Sequence, residues 1–272
     1  MRKVTSIVII LIALAGGVFG QASTIVKSSL TPAEIEKIVK KFSDNEFEFR
    51  QALQIYAFNR DAKIQTIGLG GQVTGTYIRN SFLTFKDDGS RFERILYSPI
   101  STLKEISISA EDIEDLGGIN PFAIEPKFVK EYNFTFVGKE KIDELDLYVF
   151  DVTPKVIPDW KKSSLRLFTG RIWVSDEDLM IVKTKGKAVP EGKQRFPIVE
   201  TWRDSVDGKY YFPVFSTSDD ELVFDNGQVV KMRVRVKYAN YRVGRSDVRI
   251  LDDEEEVKDP KPTPSPTPTV SN

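Results

Sequence analysis

The chain of 272 residues contains no cysteine and no histidine. Without cysteine there is no disulfide to staple an exported domain, so stability has to come from an apolar core. Thiolate metal sites are excluded for the same reason. Without histidine, the usual proton shuttle near neutral pH and the commonest metal ligand are both missing. Zinc sites and histidine-dependent triads are therefore excluded. Neither sign of charge dominates, with 39 Lys and Arg against 40 Asp and Glu. No basic stripe is present, and nucleic acid is not expected as a partner. Long apolar runs are scarce too: one lies near the start, between Ile7 and Phe19.

That run follows Arg2 and Lys3 and ends in the small residues Gly20 and Ala22. A charged start, an apolar centre and a small-residue exit make a secretory signal, and cleavage is expected within residues 1–22. The run includes Ala13, Ala15, Gly16 and Gly17, short of the ~20 strongly apolar residues of a membrane span. The mature protein is expected to be periplasmic. At the other end, acidic Asp252 to Glu256 and a segment of alternating Pro from Pro260 to Pro268 favour polyproline II over any sheet or helix. Residues 23–251 are left as one folded domain and 252–272 as a disordered tail.

The folded part opens with a helix signal. Thr31 stands at the N-cap, Pro32 in the first turn and Glu34 three residues on, with Ile35, Ile38, Val39 and Phe42 on one face. From Phe47 the apolar period reads as two, the signature of strands. Met232, Val234, Val236 and Tyr238 alternate with Lys231, Arg233, Arg235 and Lys237 as in a half-buried strand. Similar alternation marks Asn133 to Val137, Leu147 to Val152, Arg171 to Val174, Lys209 to Phe215 and Glu221 to Phe224. Asp88-Gly89, Asp207-Gly208 and Asn226-Gly227 supply hairpin turns. Short helices are expected from Ser109 to Gly118, where Asp112 completes a capping box, and from Pro126 to Glu131. The fold class is mainly β with a few helices: a meander of antiparallel strands.

No constellation for catalysis stands out, and no cofactor is expected. Asp176-Glu177-Asp178 and Asp219-Asp220-Glu221 lack the spaced ligand loop of a calcium site and read as solvated turns. Paired carboxylates could hydrolyse a glycoside, but the conspicuous acids adjoin turns or sit on polar faces. Neither a Gly-x-Ser-x-Gly elbow nor a phosphate-binding Gly-Lys-Ser/Thr ending is present, and Gly68 to Gly71 reads as a hairpin loop. Asn133-Phe134-Thr135 matches a glycosylation acceptor inside a strand. The aromatic inventory, 18 Phe, 9 Tyr and 3 Trp, is the remaining resource. Phe134 and Phe136, Tyr148 and Phe150, and Ile172 and Val174 share strand faces that serve either as ordinary core or as the wall of an apolar ligand cavity.

The segment Phe168 to Lys183, a strand, the acidic turn and a second strand, resembles the lipoprotein-sorting proteins of the LolA-like superfamily, which includes LolA, LolB and the RseB/MucB sensors. Tyr132 to Val137, Tyr148 to Pro154, Phe196-Pro197 and Tyr211-Phe212-Pro213 resemble its flanking strands. That resemblance implies a single curved antiparallel sheet, an unclosed barrel, with helices as a lid over a cavity for acyl chains. It implies a non-enzymatic binder of lipid or of an acylated lipoprotein, with peripheral membrane contact and an envelope protein among its partners. An RseB-like sensor or interaction module without lipid cargo is the alternative.

Overall fold

The computed structural model describes residues 24–243 apart from 87–89, 110–111, 113–123, 164 and 207. The expected signal peptide, the tail, the Asp88-Gly89 turn and most of the helix read from Ser109 lie outside the described residues. Asp112 and Ser109 do exchange the capping bonds, Ser109 N to Asp112 Oδ2 at 2.8 Å and Asp112 N to Ser109 Oγ at 3.1 Å.

Helix α1 (Pro32–Leu53) begins as its capping box dictates, with Thr31 N donating to Glu34 Oε2 at 2.7 Å. It continues past Phe47, where the sequence reads as strand, for one reason: Phe42, Phe49 and Leu53 share a face with the buried Glu46, a charge that interrupts the apolar period. Strands β1 (Tyr56–Ile67), β2 (Val73–Phe85) and β3 (Arg91–Tyr97) follow, then the short helix α2 (Pro126–Val129). The rest is a meander of β4 (Tyr132–Ile142), β5 (Leu145–Pro154), β6 (Leu167–Ser175), β7 (Ile181–Val189), β8 (Val199–Val206), β9 (Tyr210–Val223) and β10 (Val229–Val243). Strand β9 is continuous where two strands were expected. Asp219, read as part of a solvated turn, lies in mid-strand because β10 supplies partners: Arg233 Nε donates to Asp219 Oδ1 at 2.7 Å and Arg235 Nη2 to Oδ2 at 2.5 Å.

All ten strands form one antiparallel sheet in the order β3-β2-β1-β10-β9-β8-β7-β6-β5-β4. The first and last strands pair in mid-sheet, and the sheet does not close into a barrel. The β4 edge is capped at one point, where Val26 exchanges two backbone bonds with Lys139. Because every neighbour is antiparallel, the β1–β2, β9–β10, β7–β8 and β5–β6 connections emerge at one end of the sheet, and β4–β5, β6–β7 and β8–β9 at the other.

The sheet curves around α1. Ile38, Val39 and Phe42 of α1 pack on β4 to β7, while Phe49, Ala52 and Leu53 pack with β1, β9 and β10. Between these two apolar clusters runs a polar seam on the same face: Thr184, Thr201, Ser216 and the ion pair of Arg203 with Glu46, all buried. At the β1–β3 end a second polar group forms, in which Glu93 takes hydrogen bonds from Arg60, Arg79 and Ser81. Burial alone would raise the Glu93 carboxyl, but the bonds from Arg79 and Ser81 and the two guanidinium charges outweigh it and hold it at about 2. A depressed carboxylate contributes stability above its unfolded value of 4.5 and loses it as pH falls toward 2. Glu93→Gln is therefore expected to flatten the acid limb of a thermal-melting profile in that window. An unchanged limb would show that Glu93 carries none of it.

Candidate functional site

The structure brings the six residues singled out in the sequence together on one sheet face. Phe134, Phe136, Tyr148, Phe150, Ile172 and Val174 form one cluster on β4, β5 and β6, beneath the first half of α1. Phe42 of α1 lies edge-on to Phe134 at 5.7 Å and near Phe150 at 6.4 Å, and Phe136 meets Phe150 at 5.3 Å. Phe150, Ile172 and Val174 have no exposed surface. Tyr132 closes one side, its hydroxyl accepting the Phe168 N–H at 3.0 Å. α1 occupies the space above this face.

Open space lies elsewhere on that face, beyond α1 at the end where the β7–β8 and β9–β10 connections emerge. A cavity of about 390 Å³ is floored by apolar side chains of β10 and its neighbours, among them Val234, Val236, Leu222 and Ile64. That volume falls in the range of small-molecule sites. None of the six residues lines it. The floor follows from the alternation of β10, whose Met232, Val234, Val236 and Tyr238 all point inward. Thr201 and Ser216 place a hydroxyl pair on the floor at 2.8 Å from each other.

Two connecting segments form the roof and rim. Residues 105–108 cross on one side, tied down by Gln228 Nε2 donating to Glu105 O at 3.3 Å and by Thr66 Oγ1 donating to Glu105 Oε2 at 3.0 Å. Hydrogen bonds from threonines hold the Glu105 carboxyl below its usual range. On the other side Phe196 and Pro197 lean over the cavity. Arg195 fastens this loop to the β9–β10 hairpin, donating to Val223 O at 2.8 Å and pairing with Asp225. Arg166 stacks 4.5 Å above the Phe196 ring. The two carboxylates among the described lining residues are engaged, Glu105 with Thr66 and Asp112 with Ser109. Among the described residues no group of three acids is placed to hold a metal. The arrangement can enclose an apolar chain and offer two hydroxyls and a few rim charges to whatever that chain is attached to.

Sequence reasoning named the β10 alternation but assigned no site to it. The roof unites residues 105–108 with 193–197, and no local pattern marks a contact over such a separation.

No protein-family model matches the chain, and no curated protein matches it. Among solved structures, a DUF1329 family protein from Desulfovibrio piger is similar at 18 % identity and TM-score 0.37, over 79 % of this chain and 95 % of that one. A LolA superfamily protein from Nitrosomonas europaea is similar at 13 % identity and TM-score 0.34, over 77 % of this chain and 93 % of that one. MucB, solved in complex with the periplasmic part of MucA, aligns at 9 % identity and TM-score 0.22, over 78 % of this chain and 99 % of that one.

Proposed function

We propose that the chain is an exported, non-enzymatic binding protein of the cell envelope that holds the apolar chain of a lipid or of an acylated lipoprotein in the cavity beside α1. The observation that carries this reading is the 390 Å³ space floored by Ile64, Leu222, Val234 and Val236 at an end of the sheet that α1 leaves uncovered. Burying an acyl chain there removes apolar surface from water on both sides, worth about 0.8 kcal/mol per methylene. Histidine and cysteine are absent from the chain, and the carboxylates among the described lining residues, Glu105 and Asp112, are held by neighbouring hydroxyls.

The test is to fill the space. Val234→Trp directs an indole into the cavity from a strand whose backbone pairing it does not touch. Native mass spectrometry is expected to show a lipid-sized adduct on the wild-type protein and none on a Val234→Trp protein that melts cooperatively. An adduct of equal occupancy on both would remove this cavity as the binding place.

A further inference from the structure

The end of the sheet that holds the cavity also collects exposed apolar side chains. In the β5–β6 connection, Val156 and Ile157 are 75 % and 59 % exposed, and Trp160 and Leu165 are exposed beside them. The antiparallel order puts this loop at the same end as Leu69, fully exposed on the β1–β2 hairpin, and Ile198, exposed after the β7–β8 loop. The two loops touch: Trp160 packs against Gly192, and Arg166 reaches Gln194 on the cavity rim. Exposed apolar residues scattered singly need no explanation, but several on one loop, packed beside a cavity rim, mark a contact surface.

The charge around these residues selects the partner. Residues 155–166 carry Lys155, Lys161, Lys162 and Arg166 against Asp159 alone, four cations and one anion for a net charge of +3. Lys161 and Lys162 are exposed on the turn that carries Trp160, and Lys193 stands on the rim of the cavity itself. Protein interfaces are poor in lysine at their centre, whereas a Trp with aliphatic neighbours and flanking lysines suits the boundary between lipid headgroups and acyl chains.

We propose that the β5–β6 loop docks this end of the protein on an anionic phospholipid bilayer, with Val156, Ile157 and Trp160 entering the headgroup boundary and Lys161 and Lys162 meeting lipid phosphates. Docking in this pose brings the end of the sheet that holds the cavity to the membrane surface. The docking does not depend on what the cavity holds, and it is measured without cargo.

The experiment is co-sedimentation of the mature protein with phosphatidylglycerol-containing vesicles and, in parallel, with pure phosphatidylcholine vesicles. Binding is expected to the anionic vesicles, with Trp160, the exposed indole of the loop, quenched by brominated acyl chains. Lys161→Gln with Lys162→Gln is expected to weaken binding about thirtyfold, given the contribution of each lysine near an anionic surface. Lys141→Gln with Lys209→Gln, in hairpins at the opposite end of the sheet, should change it by less than about twofold, because screening confines the attraction to nearby charges. Ile157→Ser with Trp160→Ser should abolish it while the melting temperature, set by the buried clusters that neither side chain joins, stays close to wild type. A wild-type protein that stays in the supernatant with anionic vesicles overturns the proposal and leaves the surface to a protein partner. Binding that the two lysine pairs weaken equally overturns it as well.

Discussion

Arg203→Ala is expected to lower the melting temperature by about 6 to 20 °C. Arg203 and Glu46 are 2 % and 3 % exposed and meet through two hydrogen bonds, at 2.5 Å and 3.2 Å. The guanidinium also lies 4.8 Å from the Phe49 ring centroid, so that it joins α1 to β8 along the seam between the two apolar clusters. Removing one member of a buried pair leaves an uncompensated charge and costs about 3 to 5 kcal/mol. For a domain of this size each kcal/mol moves the midpoint by roughly 2 to 4 °C. Burial pushes the Glu46 carboxyl up even with its partner present. A raised carboxyl gives stability below its unfolded pKa that is lost as pH rises through the folded one, so the deficit of the variant should grow toward alkaline pH. Glu46→Leu with Arg203→Met should recover most of the loss, since an apolar pair of similar volume carries no desolvation cost. A melting temperature for Arg203→Ala within about 2 °C of wild type would show that the pair does not hold α1 to the sheet.

Gly186→Val should be as damaging for a different reason. Gly186 on β7 faces Gly170 on β6, and a Cβ on Gly186 would stand 2.3 Å from Thr169 O and 2.4 Å from the Phe168 ring. On Gly170 a Cβ would stand 2.3 Å from Lys185 O. Phe168 is fully buried and takes the space that side chains at the pair would fill. Relief would require moving backbone in mid-sheet, with a cost of about 3 kcal/mol or more. The urea midpoint of Gly186→Val should fall accordingly, and a midpoint equal to wild type would mean that β6 and β7 separate more easily than their packing implies.

Local signals were legible in the sequence. The Thr31 and Glu34 box fixes the start of α1 because its bonds span three residues. The inward face of β10 follows from strict alternation, and so does the shared face within each of the pairs Phe134 and Phe136, Tyr148 and Phe150, and Ile172 and Val174; the register of β4, β5 and β6 is what brings the three pairs to one face. Long-range partnerships were not. Glu46 broke the helical pattern because its stabilising partner lies 157 residues away, and Asp219 read as a turn because Arg233 and Arg235 on β10 are what admit it to a strand. The alternation in β4 to β6 located an apolar face, yet whether α1 or open space lies above it depends on where the helix docks. That placement put Phe42 over Phe134 and left the floor of β10 to the cavity.

The cavity beside α1 should hold an apolar molecule in the native protein. Protein purified from cells without detergent should be extracted with organic solvent and the extract quantified by mass spectrometry. An acyl-chain molecule near one per protein is expected, depleted in Val234→Trp. A wild-type extract with no such molecule would contradict it and move the weight to a module that binds other proteins.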